Sequence, residues 1–324
     1  MSSPDSIYIR LPNWIGDVCM SLPLLAALDT AGIGVHVCAR PWAADLLAGM
    51  PMRSFLPMSG RLWTDRATVA RHRSSHDLHS PGLLLPDSFS SAAVFRFAGV
   101  ASAGWRDDGR SALLRWPFDK PSTPTHAVES WYRLVCLAVN ALSGQALADR
   151  PAERLNLRLT DQARAQAQCV LEDAGLADQP FVLIAPTATC LHKGKIKVWP
   201  NFAELTDRLE QHGLAVAYCV PPSEADQARR HAPGARALPP LPLGAFAALT
   251  QAAQLVVCND SGVSHLAAAA GARQLTLFGV TSPARTGPWS PDAHCLGESG
   301  QWPAVIEVVQ TALDISTRKT ERPD

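Results

Sequence analysis

No run of 18 apolar residues occurs in this 324-residue chain, so a membrane-spanning helix is not expected. Met1-Ser2-Ser3-Pro4-Asp5 puts no basic segment ahead of its short apolar stretch, and a secretory signal is not expected either. Net charge is missing too. Lys and Arg number 29 against 29 Asp and Glu, a formal charge of zero that argues against a broad nucleic-acid footprint. The eight cysteines contain no C-x-x-C pair, and several lie inside apolar runs. They read as small hydrophobes in a reducing cytoplasm rather than as a disulfide framework or zinc set. No G-x-G-x-x-G follows the first strand, which removes the fingerprint of a nicotinamide dehydrogenase. No D-x-D pair is available to hold a divalent cation, so neither metal ligands nor a cofactor are expected.

What is present is the composition of a folded protein, 47% hydrophobic and 18% charged, in a chain long enough for two domains. Short apolar runs alternate with helical stretches. Ile7–Ile9, Gly34–Ala39 and Gly82–Leu85 read as strands, with helices over Leu22–Leu28, Trp42–Leu47 and Val128–Leu142. Pro117–Pro124 reads as a surface loop and 143–160 as a polar connector. Thr160-Asp161 then caps a helix. A second alternating block follows: strands Phe181–Ala185, Leu214–Val220, Leu255–Cys258 and Gln274–Phe278, helices Phe202–Gln211, Leu243–Ala253 and Val263–Ala270, and a last helix Val305–Leu313. The expected class is α/β, with two doubly wound Rossmann-like domains facing a central cleft. Expected boundaries are 1–160, 161–304 and a C-terminal helix and tail at 305–324.

Two turns carry the chemistry. Leu11-Pro12-Asn13-Trp14-Ile15-Gly16-Asp17 follows the first strand and offers a carboxylate beside a glycine. Asn259-Asp260-Ser261-Gly262-Val263-Ser264-His265 follows Leu255–Cys258 and offers a helix N-terminus, whose N–H groups and dipole suit a diphosphate. Between Arg61 and His79 no regular period is visible. Arg61, Arg66, Arg71 and Arg73 interleave with His72, His76 and His79, as a solvated helix face or loop or as a site for an anionic acceptor.

Taken together these segments resemble glycosyltransferase family 9, the bacterial heptosyltransferases. Arg10–Asp17 resembles the family's opening, and Lys197-Val198-Trp199-Pro200 its K-x-W-P segment. Asn259-Asp260-Ser261-Gly262 with His265-Leu266-Ala267-Ala268 resembles its nucleotide-sugar turn, and Phe278–Pro288 the loop after it. Asp87–Ala92 and Gly104-Trp105-Arg106 are similar to the branch that adds the second heptose of the lipopolysaccharide inner core. The resemblance spans nearly the whole chain in the family's order. Val263, Val280 and Ser282 depart from residues common in the family around the donor sugar.

The resemblance implies a GT-B fold, with the acceptor on the N-terminal domain and the nucleotide sugar on the C-terminal one. It implies inverting transfer from ADP-L-glycero-β-D-manno-heptose to an anionic glycolipid acceptor at the inner membrane surface, by an enzyme that is cytoplasmic or peripheral to that membrane. Another nucleotide sugar, or an acceptor that is a different glycan or a protein, is the alternative. A non-catalytic sugar-binding relative is a further one, against which Asp17 and Lys197 weigh. Asp17 becomes the expected general base, its other reading being a helix N-cap. Asn13 and Gly16 on the same turn, and Arg61, Arg71 and Arg73, are expected to contact the acceptor. Lys197 is expected to offset charge on the leaving diphosphate, its other reading being a solvated basic loop with Lys193 and Lys195. Ser261 and Gly262 would present N–H groups to phosphate, while Asp260 orients the turn or meets a sugar hydroxyl. Thr187 and Thr189 are hydroxyl donors to phosphate or plain loop residues. His265 is structural or reaches phosphate or heptose. Glu224 binds a ribose diol or is an exposed acid at a helix start.

Overall fold

The computed structural model describes residues 4–317 apart from 77, 78, 189, 190 and 193. Contacts divide the chain into two compact units, Met1–Leu155 and Asn156–Asp324. In the first unit the order is β1 (Ser6–Arg10), α1 (Ile15–Met20), α2 (Leu22–Thr30), β2 (Gly34–Ala39), α3 (Ala43–Leu46), β3 (Ser54–Pro57), α4 (Leu62–Ser75), β4 (Gly82–Leu84), α5 (Phe89–Phe97), β5 (Ser102–Trp105), β6 (Trp116–Phe118) and α6 (Ala127–Ser143). The sheet is wholly parallel in the order β3-β2-β1-β4-β5-β6, with Ile7 opposite Val35 and Ile9 opposite Val37. All five residues of β1 are buried, as a central strand with both faces covered requires. Gly82 lets α5 sit directly on β4, since a Cβ there would lie 2.6 Å from the Phe95 ring.

The second unit repeats the plan. Its order is α7 (Asp161–Asp173), β7 (Phe181–Ala185), the hairpin strands β8 (Leu191–His192) and β9 (Lys195–Ile196), α8 (Phe202–Gln211), β10 (Ala215–Cys219), α9 (Ala225–His231), β11 (Arg236–Leu238), α10 (Leu243–Ala252), β12 (Leu255–Asn259), α11 (Gly262–Ala269), β13 (Gln274–Leu277), α12 (Pro283–Thr286), β14 (Ala293–Leu296) and α13 (Val305–Thr317). Its parallel sheet runs β11-β10-β7-β12-β13-β14. Alternation along β7 splits the core. Val182 and Ile184 face a cluster with Trp199, Phe202, Val308 and Ile315, while Phe181 and Leu183 face one with Leu171, Leu249 and Ala267. The last helix is thus part of this unit's core. As expected, Thr160 caps α7, its hydroxyl accepting from the Ala163 N–H at 3.1 Å. Each sheet reverses its strand order beside its first strand, at β1/β4 and at β7/β12, where open α/β sheets bind ligands. Each unit is thus a Rossmann-like α/β domain, as the sequence predicts.

One open alternative is decided here and one local expectation fails. The arginine- and histidine-rich segment forms the helix α4, although it shows no apolar stripe. Its inward face is mixed, with Leu62 and Ala70 partly buried against the core. Asp65 accepts from the N–H and hydroxyl of Ser59 and the N–H of Gly60, Tyr8 Oη lies 2.9 Å from His72 Nδ1, and only Val69 adds a fully buried aliphatic group. Pro117 is not in a loop but in β6, an edge strand, where a missing N–H costs no ladder bond.

Candidate functional site

At the carboxyl end of β1 the chain turns through Pro12, Asn13 and Trp14 into α1. Arg10, the last strand residue, is 7% exposed, and its guanidinium donates to Asn13 Oδ1 at 2.6 Å. Asn13 is therefore held by the sheet while remaining exposed itself. Gly16 is buried in the first turn of α1. Asp17 follows it inside the helix, so it is not the N-cap. That position is Trp14, whose side chain makes no capping bond. Among the described residues no ion pair or hydrogen bond engages the Asp17 carboxylate. Half-burial without a partner disfavours its charge, and its pKa is pushed up from 3.8 to about 6. A carboxylate poised there is ionised at neutral pH yet basic enough to take a proton.

The same edge gathers cations, of which sequence reading singled out only Arg61. Arg40, after β2, donates to the carbonyls of Ser59 and, at 3.4 Å, Met58. Those residues follow β3 and lead to Arg61, the exposed N-cap of α4. Arg10, Arg40 and Arg61 thus mark the ends of three adjacent strands. Arg71 and Arg73 are not brought there. Ten residues of helix separate Arg61 from Arg71, about 15 Å at 1.5 Å per residue.

In the second unit the side chains converge on Asp260, which follows β12. Its carboxylate, 5% exposed, accepts from Lys197 Nζ at 2.9 Å, from the Thr281 hydroxyl, and from the Thr286 hydroxyl at 3.3 Å. Lys197 is 18% exposed and held by this pair, so it is not part of a freely solvated loop. Ser261 caps α11, its hydroxyl accepting from the Val263 N–H at 3.3 Å, and Gly262 begins the helix. His265, one turn on, is buried.

Asn259 ties these pieces together. Its Oδ1 accepts from the Trp199 N–H at 2.8 Å, while Nδ2 donates to the carbonyls of Ala185 at 3.1 Å and Thr187 at 3.5 Å. Trp199 is fully buried and donates from Nε1 to the Pro303 carbonyl at 3.0 Å, anchoring the segment that presents Lys197. Thr187 is buried, and its hydroxyl donates to Glu224, which is half-buried at the start of α9. The structure therefore brings Thr187, Lys197, Glu224 and Asp260 together around Asn259, with Ser261 next in the chain as the cap of α11. Thr189 lies outside the described residues. Thr281, Thr286 and Asn259 were not anticipated, because their partners lie 21 to 74 residues away in sequence.

With this geometry in hand, comparison with known proteins is informative. The family model for glycosyltransferase family 9 (heptosyltransferase) matches residues 76–312. Lipopolysaccharide heptosyltransferase 2 of Escherichia coli K12 is 28% identical over 311 residues, covering 88% of this chain and 86% of that enzyme. Lipopolysaccharide heptosyltransferase 1 of Pseudomonas aeruginosa is 36% identical over 313 residues, covering 87% and 81%. Among solved structures, E. coli ADP-heptose LPS heptosyltransferase II superimposes with a TM-score of 0.77 at 24% identity, covering 96% of this chain and 98% of that one. The chain is a glycosyltransferase and belongs to family 9, the heptosyltransferase family.

Proposed function

We propose that this enzyme transfers a heptose, with inversion, from ADP-L-glycero-β-D-manno-heptose to an inner-core lipopolysaccharide acceptor. The acceptor hydroxyl gives its proton to Asp17 as its oxygen bonds to the anomeric carbon and the bond to the ADP leaving group breaks. The observation that carries this reading is the Asp17 carboxylate itself: partnerless among the described residues, at the carboxyl edge of a parallel sheet, with a pKa near 6. Relatedness to lipopolysaccharide heptosyltransferases over more than four-fifths of each chain supports the sugar and acceptor class.

On the donor side, Lys197 and the N–H groups of Ser261 and Gly262 would offset charge growing on the diphosphate. Asp260 sets the direction of Lys197 and orders Thr281 and Thr286. Glu224, steadied by Thr187, would take the ribose hydroxyls. No cofactor enters this scheme, in which Lys197 and the helix N-terminus do the charge compensation. On the acceptor side, Asn13 and Arg61 would contact the sugar acid or phosphate, with Gly16 keeping the backbone clear beside Asp17 and Arg71 and Arg73 acting at longer range. Offering the purified enzyme ADP-heptose, other nucleotide sugars and truncated core acceptors, with mass spectrometry of the products, tests the reading. A heptosylated core saccharide is expected. Transfer of a different sugar only, or onto a non-lipopolysaccharide acceptor only, would replace it with the alternative.

A further inference from the structure

The N-terminal unit leaves one aromatic pair uncovered. Trp63 on α4 and Phe97 on α5 are 71% and 49% exposed, and their rings stack with centroids 6.1 Å apart and planes 17° from parallel. Beyond their contact with each other across the two helices, the rings turn a broad apolar face to solvent, and such surfaces mark interaction sites. Cations frame the pair. Arg66 Nε donates to the Phe97 carbonyl at 3.1 Å, which fixes it across the two helices, and exposed Arg96 precedes Phe97. Farther along α4, Arg73 runs beside Gly99, where a Cβ would lie 3.2 Å from its Nη1. No exposed carboxylate balances them on these helices. The acid in α4 is Asp65, buried and bonded to Ser59 and Gly60, and α5 has none. The chain as a whole is neutral, so this is a local concentration of positive charge.

We propose that this face seats the enzyme on an anionic lipid bilayer, with Trp63 and Phe97 entering the headgroup layer and Arg66 and Arg96 pairing with lipid phosphates. Tryptophan and phenylalanine rings partition to that layer, and each arginine near an anionic surface strengthens binding about fivefold. A second copy of this chain is the weaker occupant, because a two-fold contact through the rings would set the same arginines against each other. For its use to the enzyme the inference rests on the membrane-glycolipid reading of the acceptor. The contact itself needs neither donor nor acceptor.

Co-sedimentation of the full chain with phosphatidylcholine vesicles, with and without phosphatidylglycerol, tests it. Binding is expected to vesicles carrying phosphatidylglycerol, to weaken as salt rises, and to be far lower on phosphatidylcholine alone. Arg66→Gln with Arg96→Gln should weaken it about thirtyfold, and Trp63→Ser with Phe97→Ser by at least tenfold. Each pair gives up only one exposed contact between α4 and α5, so both variants should stay folded with small losses in melting temperature, and transfer to a deacylated, soluble acceptor should be unchanged. Failure of that soluble transfer in the wild-type enzyme would break the enzymatic reading and leave vesicle binding to be judged by itself. Absence of binding to phosphatidylglycerol vesicles, equal binding by wild type and both variants, or a wild-type dimer in sedimentation velocity that the Trp63/Phe97 variant dissociates would each overturn the docking surface.

Discussion

The two units share one strand order and place an aspartate after a strand beside the reversal point, yet they use it in opposite ways. Asp17 stands unengaged among the described residues and is pushed toward neutrality by burial. Asp260, more deeply buried, is bonded to Lys197, Thr281 and Thr286. Repeating a scaffold therefore repeats the location of a site and not its chemistry. What decides between a proton acceptor and an organising anion is the set of donors within reach. Lys197 and two threonines supply them in one unit; in the other, the nearby cation Arg10 is spent on Asn13 and backbone carbonyls.

The largest effect should come from removing the unengaged carboxylate. Asp17→Asn keeps the shape and loses the base, and kcat is expected to fall by roughly two to four orders of magnitude in steady-state assays while donor binding persists. Near-normal turnover would take Asp17 out of the chemistry. On the organised side, Lys197→Ala should cost about 3 kcal/mol in the transition state, roughly a hundredfold, with weaker ADP binding by calorimetry. Unchanged ADP affinity and turnover would reduce Lys197 to a structural partner of Asp260.

The comparison is sharpest in stability, where the two aspartates should respond with opposite sign. The folded-state pKa of Asp17 lies above its ordinary value. As pH rises from 3.8 through about 6 the unfolded chain loses this proton first, and stability falls across that window. Asp17→Asn removes the penalty and should raise thermal stability at neutral pH by on the order of 1–2 kcal/mol. Asp260→Asn leaves the Lys197 ammonium without its countercharge and should cost about 1–3 kcal/mol. Melting curves that moved both variants the same way would dissolve the contrast. The smallest effect concerns the acceptor. Arg61→Ala should raise its KM several-fold, more at low salt, with the donor KM constant. Arg71→Ala with Arg73→Ala should do less, because those side chains sit about 15 Å along α4. A larger effect from the second pair would move the acceptor down that helix.

Much of this was legible in the chain. β2, β7 and α8 fall where the sequence places them, because continuous apolar runs mark buried parallel strands and because a 3.6-residue stripe closed by Gly213 marks α8. The edge strands β3, β6, β11 and β14 gave no signal. Each has three or four residues, and Pro57, Pro117 and Arg236 obscure the apolar pattern. The helix α4 was open to a loop reading for a different reason: its inward face mixes Asp65 and His72 with Leu62, Val69 and Ala70, too few apolar positions to make a stripe. Within the site, Asp17, Lys197 and Asp260 could be named from turns after strands and from the family motifs. Asn259, Thr281 and Thr286 could not be assigned roles, since an amide between β7 and the Trp199 segment, or a threonine on a distant loop, acquires its partner only through the tertiary fold.

The central claim is that Asp17 is the proton acceptor. The dependence of kcat/KM on pH for the transfer reaction reports it most directly, since that ratio follows the free enzyme's essential groups. Wild type should show an acid limb, with activity falling about tenfold per pH unit below about 6, and Asp17→Asn should keep a small rate without that limb. A wild-type profile flat through pH 6, or the same limb retained in Asp17→Asn, would contradict it.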